Sequence, residues 1–140
     1  MATEIEKFAK TLAESFKGKG KSLADFFTED AVYTAGGPAR GSRYEGIAAV
    51  RGAMNRANNQ VFLVEKMDFK HVLAAKDVVT GKDFVVVPIS VKGKSRITSR
   101  DYANELCLLL EVKDGKIVHM HEYLDTIASA RANAQLPYPD

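Results

Sequence analysis

The stretch LLLEVKDGKIVHMHEYLD, residues 108–125, decides how this chain is read. At its middle, Asp114–Gly115 is a two-residue turn signal, because a tight hairpin turn needs positive φ at both central positions. On either side the apolar residues recur every second position, which places them on one face of a strand. Before the turn, Leu106, Leu108 and Leu110 share a face with Asn104. After it, Val118, Met120, Glu122 and Leu124 share one face, and His119, His121, Tyr123 and Asp125 share the other. The pattern predicts an antiparallel hairpin with one face turned to a core. Glu122 is the exception on that face. A carboxylate among apolar neighbours loses solvation, which favours its protonated form and suits it to acid/base work near neutral pH.

Working outward, DFVVVPISV (83–91) reads as a strand, and KGK (92–94) as a hairpin turn into the long strand YANELCLLLEV (102–112). Val61, Leu63, Met67, Phe69 and Leu73 alternate with mostly polar residues and predict further strand. The first third has helical spacing instead. Ile5, Phe8, Ala9, Leu12 and Phe16 mark a helix over 3–17, with Thr3 and Glu6 in a capping-box pattern. GKGK ends it, and Ser22 is placed to cap a short second helix carrying Leu23, Phe26 and Phe27. AVYTA (31–35) reads as a strand ended by GGP. Ser42 with Glu45 predicts the cap of a third helix, whose face is Ile47, Val50, Met54 and Ala57. Helices followed by strands indicate α+β, with a curved antiparallel sheet wrapped around three N-terminal helices and leaving one concave face. The expectation is one domain over 1–140, with 126–140 as a tail that forms a short helix, N-capped by Asp125, and then extends.

The whole-chain numbers narrow the function. Of 140 residues, 46% are hydrophobic and 27% charged, ordinary values for a globular domain with a core. A net charge of +2 lacks the concentrated basic face of a nucleic-acid binder. The one basic run, Lys17, Lys19 and Lys21, alternates with glycines and reads as a solvated loop. No apolar run approaches the ~20 residues that cross a bilayer, and MATEIEKFAK has no apolar signal core. Cys107 is alone, so no internal disulfide can form and a reducing, cytoplasmic setting is expected. No phosphate-cradling glycine loop is present, and no nucleotide, metal or other cofactor is expected.

Four stretches, LADFFTEDAVYTAGG, YEGIAAVRGAM, LLLEVKDGKIVHMHEYLD and the strand order between them, resemble the nuclear-transport-factor-2-like superfamily over nearly the whole chain. That fold is shared by SnoaL-like polyketide cyclases, limonene epoxide hydrolase, ketosteroid isomerase and scytalone dehydratase. The resemblance implies that the sheet is cone-shaped, in a single SnoaL-like domain with a pocket inside the cone. It sets Tyr33 where the epoxide hydrolase has its water-binding tyrosine, and Glu122 where that enzyme and the cyclases carry a pocket aspartate. The hydrolase's asparagine falls on Ala35, and its arginine–aspartate pair falls near Val86 and Pro88, so neither charge is present. The base of ketosteroid isomerase also falls on Ala35, its oxyanion tyrosine near Thr11 and its second acid near Leu108, which excludes that activity.

Glu122 is therefore the candidate proton-transfer residue, and Tyr33 the candidate donor to a substrate oxygen; against this stand an ion pair with an arginine inside the cone or a lone rim carboxylate for Glu122, and core packing with the hydroxyl at the rim for Tyr33. Asn104, Met120, Leu106, Leu108, Leu124 and Phe26 are the candidate ligand-binding residues, Asn104 also reading as a solvated strand end. His119 and His121 could ligate a metal, but no further ligands accompany them. They read better as part of an outer sheet face used for a homodimer contact. Cys107 has no base partner and reads as packing, and Arg100–Asp101 as surface charges. The chain is thus expected to bind a small, largely hydrophobic ligand bearing oxygen. It either performs cofactor-free cyclisation, isomerisation, dehydration or hydrolysis, binds without catalysis, or serves as a homodimeric interaction module.

Overall fold

Thr3 opens the first helix, its hydroxyl accepting from the Glu6 N–H at 3.2 Å, so α1 runs Glu4–Phe16 and buries Phe8, Ala9 and Leu12. The computed structural model describes residues 1–36 and 42–134. After α1 the expected second helix is a single 3₁₀ turn, Leu23–Phe26, with Asp25 accepting from the Ser22 N–H. Phe27 does not belong to it; it begins β1 (Phe27–Ala35) and is buried there. Of the expected terminator GGP, Gly36 has a positive φ of 79°, and Gly37 and Pro38 lie outside the described residues.

The expected cap at Ser42 is a correction. Ser42–Glu45 is a strand, β2, paired antiparallel to β1 with Tyr44 beside Tyr33. Its backbone groups meet those of β1, so they cannot open a helix. The helix α2 (Ile47–Arg56) starts beyond it, after Gly46 at φ 88°, and buries Val50 and Ala53.

The remaining strands are β3 (Phe62–Phe69), β4 (Leu73–Lys76), β5 (Asp83–Ser95), β6 (Asp101–Lys113) and β7 (Lys116–Leu124), followed by α3 (Thr126–Ala132). The last of these is a short C-terminal helix; the extension expected beyond it falls largely outside the described residues. Among the described residues the sheet has seven strands in the order β2-β1-β7-β6-β5-β3, with β4 also on β5. It is α+β and curved, as expected, but mixed: β1 lies parallel to β7. Alternation shows that a strand has two faces and says nothing about its partner's direction.

Two turns decide how β5, β6 and β7 meet. Asp114 at φ 51° and Gly115 at φ 73° form the expected tight turn between β6 and β7. The expected turn at KGK does not exist. β5 runs straight through it, pairing Lys92, Gly93 and Lys94 with Ala103, Tyr102 and Asp101, and the chain turns at 96–100. Gly93 is there for a close approach: a Cβ on it would stand 1.9 Å from the Leu63 carbonyl oxygen. Pro88 sits between the β3 and β4 pairings of β5, where its missing N–H breaks no ladder bond.

The concave face carries Val85, Val87, Ile89 and Val91 from β5, Leu108 and Leu110 from β6, and Ile117 and Met120 from β7. These close on Leu12 of α1 and Val50 of α2, both fully buried. Two bulges change the strand phase. One, between Val64 and Lys66, leaves Phe62, Val64, Met67 and Phe69 on the inside and turns Leu63 out. The other, opposite Glu111 and Val112, sends Ile117 inward where Val118 was expected.

Candidate functional site

Part of the concave face is not filled by the helices. A cavity of about 310 Å³ remains, walled by strands β3, β5, β6 and β7, with Tyr33 of β1 and Met54 of α2. Tyr33, Glu122, Met120, Leu106, Leu108 and Leu124, six of the eight expected site residues, line it. Phe69, Phe62 and Tyr102 add aromatic surface; Phe69 stacks on Phe16 at 4.4 Å and Phe62 on Tyr102 at 4.2 Å. Reasoning on single strands missed Tyr102 and Val64, and with Val64 the bulge that puts it on the same side as Met67 and Phe69. The alternation along YANEL carried the signal for Tyr102, which is in phase with Asn104, Leu106 and Leu108.

The site's polar centre joins residues far apart in sequence. Parallel pairing sets Ala35 against Glu122 and Tyr33 against Met120. Tyr33 and Glu122 then project to the same side, and the Tyr33 hydroxyl donates to Glu122 Oε2 at 3.0 Å. Tyr44 stacks on Tyr33 at 5.6 Å and braces its ring. Burial raises the Glu122 pKa, and the hydrogen bond from Tyr33 opposes part of that rise. Burial, followed by the neighbouring Glu122 charge, raises the Tyr33 pKa, so the phenol keeps its proton at neutral pH. The pair thus has a neutral donor held on a carboxylate inclined to accept a proton.

Two expected ligand contacts are elsewhere. Phe26 is not in the cavity lining; its ring meets Phe8 edge-on at 5.7 Å, because the 3₁₀ turn directs it to α1. Asn104 is also absent from the cavity wall, and it is a buried residue, not a solvated strand end. Its amide N–H groups donate to the Tyr102 hydroxyl at 2.9 Å and the Asp125 carbonyl at 3.0 Å, while its oxygen accepts from the Asp125 N–H at 3.1 Å. Asn104 therefore ties β6 to the start of α3, and Asp125 in turn caps α3 through the Ile127 and Ala128 N–H groups.

His119 and His121 stack at 3.7 Å on the outer face, each beside the Thr34 hydroxyl. Among the described residues, no group of three or more histidine, cysteine or acidic side chains is gathered to hold a metal ion. Cys107 is half-buried on the same outer face, and Asp101 pairs with Lys94 at 2.8 Å. No helix among the described residues is long and apolar enough to cross a membrane.

A family model described as a SnoaL-like domain matches residues 5–120. No curated protein sequence matches the chain. Solved structures resemble it at low identity. A Bacillus subtilis protein with a provisional isomerase designation is 20% identical over 96% of this chain and 98% of its own, with a TM-score of 0.71. A Catenulispora acidiphila protein of ketosteroid-isomerase-like fold, solved in complex with trimethylamine, is 15% identical over 100% of both chains, with a TM-score of 0.67. A nuclear-transport-factor-2-like protein from Burkholderia xenovorans is 21% identical over 95% of this chain and 98% of its own, with a TM-score of 0.66.

Proposed function

The chain belongs to the SnoaL-like family, on the nuclear-transport-factor-2-like fold, and from that premise we propose that its cone binds a small, largely hydrophobic molecule bearing oxygen and moves a proton on it. The observation that carries the proposal is the Tyr33–Glu122 hydrogen bond on the wall of the cavity. Glu122 is the proton-transfer group. A carboxylate whose pKa is raised by burial takes and returns a proton near neutral pH more readily than an exposed one. Tyr33 orients it. While Glu122 is ionised, the one phenolic proton is held on Oε2; once Glu122 is protonated, its O–H can turn to Tyr33 and free that proton for a substrate oxygen. This order couples the two roles, and no cofactor is needed for it. Isomerisation, dehydration, cyclisation and hydrolysis all fit a group of this kind. The lone Cys107 supports action in the cytoplasm.

A binding role without turnover is the second reading. It is favoured by the lining itself, in which Glu122 is the one carboxylate and no lysine, arginine or histidine is present among the described residues. The test is a panel of small cyclic alcohols and ketones followed by NMR in deuterated water. Turnover or deuterium uptake is expected with the native chain. Glu122→Gln should lower it by roughly 100-fold while the fold persists, and Tyr33→Phe should lower it less. Affinity changes with no turnover in any variant would favour the binding role.

A further inference from the structure

The direction of one hydrogen bond constrains what the guest must offer. Tyr33 is the polar donor beside Glu122, and its single proton lies on Oε2. The other carboxylate oxygen, Oε1, accepts no hydrogen bond from a described residue and keeps some contact with solvent. The Tyr102 hydroxyl is held by Asn104 and stands 3.4 Å from the Ser129 hydroxyl. Asn58 also lines the cavity, but it is an exposed residue. With Glu122 ionised, the Tyr33–Glu122 end of the cavity therefore presents an open acceptor and no open donor.

We infer that the guest's polar end is a hydroxyl, alcoholic or phenolic, that donates its hydrogen to Glu122 Oε1, with the hydrophobic body lying against Phe62, Phe69 and Leu106. The inference rests on the proposed cavity reading and sharpens it. The reacting bond becomes the guest's O–H: as its oxygen adds to a carbonyl carbon of the same guest, the proton passes to Oε1, the carbonyl π pair moves onto the carbonyl oxygen, and the neutral Glu122 acid returns a proton to that oxygen. The step closes a ring without releasing a free alkoxide. An acceptor-only guest leaves Oε1 unmatched, and a buried group without its partner weakens binding. An anionic guest would face the carboxylate with no cation in the lining. An ammonium guest would form an ion pair in an apolar cavity, where the loss of solvation offsets most of the attraction.

Calorimetric titration of a matched set tests the assignment: benzyl alcohol, its methyl ether, benzylamine and benzoate, against the native chain and Glu122→Leu. The alcohol should bind at least about tenfold more tightly than the ether, the scale of one hydrogen bond to a charged group. Benzoate should bind weakest. Glu122→Leu should bring alcohol and ether to similar affinity while both still bind, which a folding defect would not produce. Equal affinity for ether and alcohol in the native chain would overturn the hydroxyl assignment and leave the cavity reading standing. Tightest binding of benzylamine would make this a cation site and also overturn it. Binding of none of the four would count against the cavity reading itself.

Discussion

Burial of the Glu122 carboxylate disfavours its charged form and so costs the fold stability at neutral pH. Its pKa is raised by burial in the folded chain and ordinary in the unfolded one, so the folded state holds its proton to higher pH. Stability contributed by this group is therefore present in acid and declines as pH rises from the ordinary glutamate range through the folded value. Glu122→Gln, which stays neutral, should raise the melting temperature by a few degrees at pH 7 and leave it unchanged at or below about pH 4. Thermal unfolding across that range checks the sign; a larger gain in acid than at neutrality would contradict it. Glu122 was legible because its strand alternates cleanly between Met120 and Leu124. Phe26 was not, because a four-residue stretch such as LADF looks the same as a helix or as a 3₁₀ turn, and the two aim the ring differently. Asn104 was legible as inward-facing but not as a brace, since its partners Tyr102, Asp125 and Ser129 come together only when α3 docks.

At the scale of elements, existence was easier to read than extent. The long strands and α1 follow from their periods, and Asp114–Gly115 from its turn chemistry. Where two backbones come close, the pattern is silent. Gly93 looked like a turn residue between two lysines, yet it lies mid-strand against the bulge of β3. Gly93→Ala should accordingly destabilise by about 3 kcal/mol, the upper end for overpacking, because the neighbour is a paired carbonyl and not a side chain that can swing away. Urea unfolding measures this; a loss under about 0.5 kcal/mol would mean the two strands separate there at little expense. The same bulge explains why Met67, of opposite phase to Phe62 and Val64, reaches the cavity wall although it is as exposed as Leu63.

At the scale of the molecule, the outer sheet face is the surface still to be accounted for. Pro88, Cys107 and Tyr123 lie in register across β5, β6 and β7, and Val86, Leu109 and His121 form the next row. Tyr123 is 49% exposed. A homodimer through this face is the expected assembly. The histidine pKa values lie below their ordinary range, chiefly through burial, and for His119 also through His121 and Arg43, with Glu111 acting the other way. Both are then neutral at pH 7, and charging them requires a pH below about 6.5. Sedimentation should give twice the chain mass at neutral pH and micromolar concentration, shifting toward the monomer near about pH 5 as like charges meet across a two-fold interface. A monomer at neutral pH would remove the proposal.

The parallel pairing of β1 with β7 also governs when the site can come into being. Tyr33 and Glu122 are separated by 89 positions, so at roughly 5–20 residues per second a ribosome needs about 5 to 20 seconds to deliver the second after the first. Until then β1 has only the four-residue β2 beside it, and its other edge is open to any passing strand. Contacts this distant in sequence slow the search for the native state. The proton pair cannot exist in a half-made chain, and the interval before β7 arrives is when this protein is most exposed to aggregation.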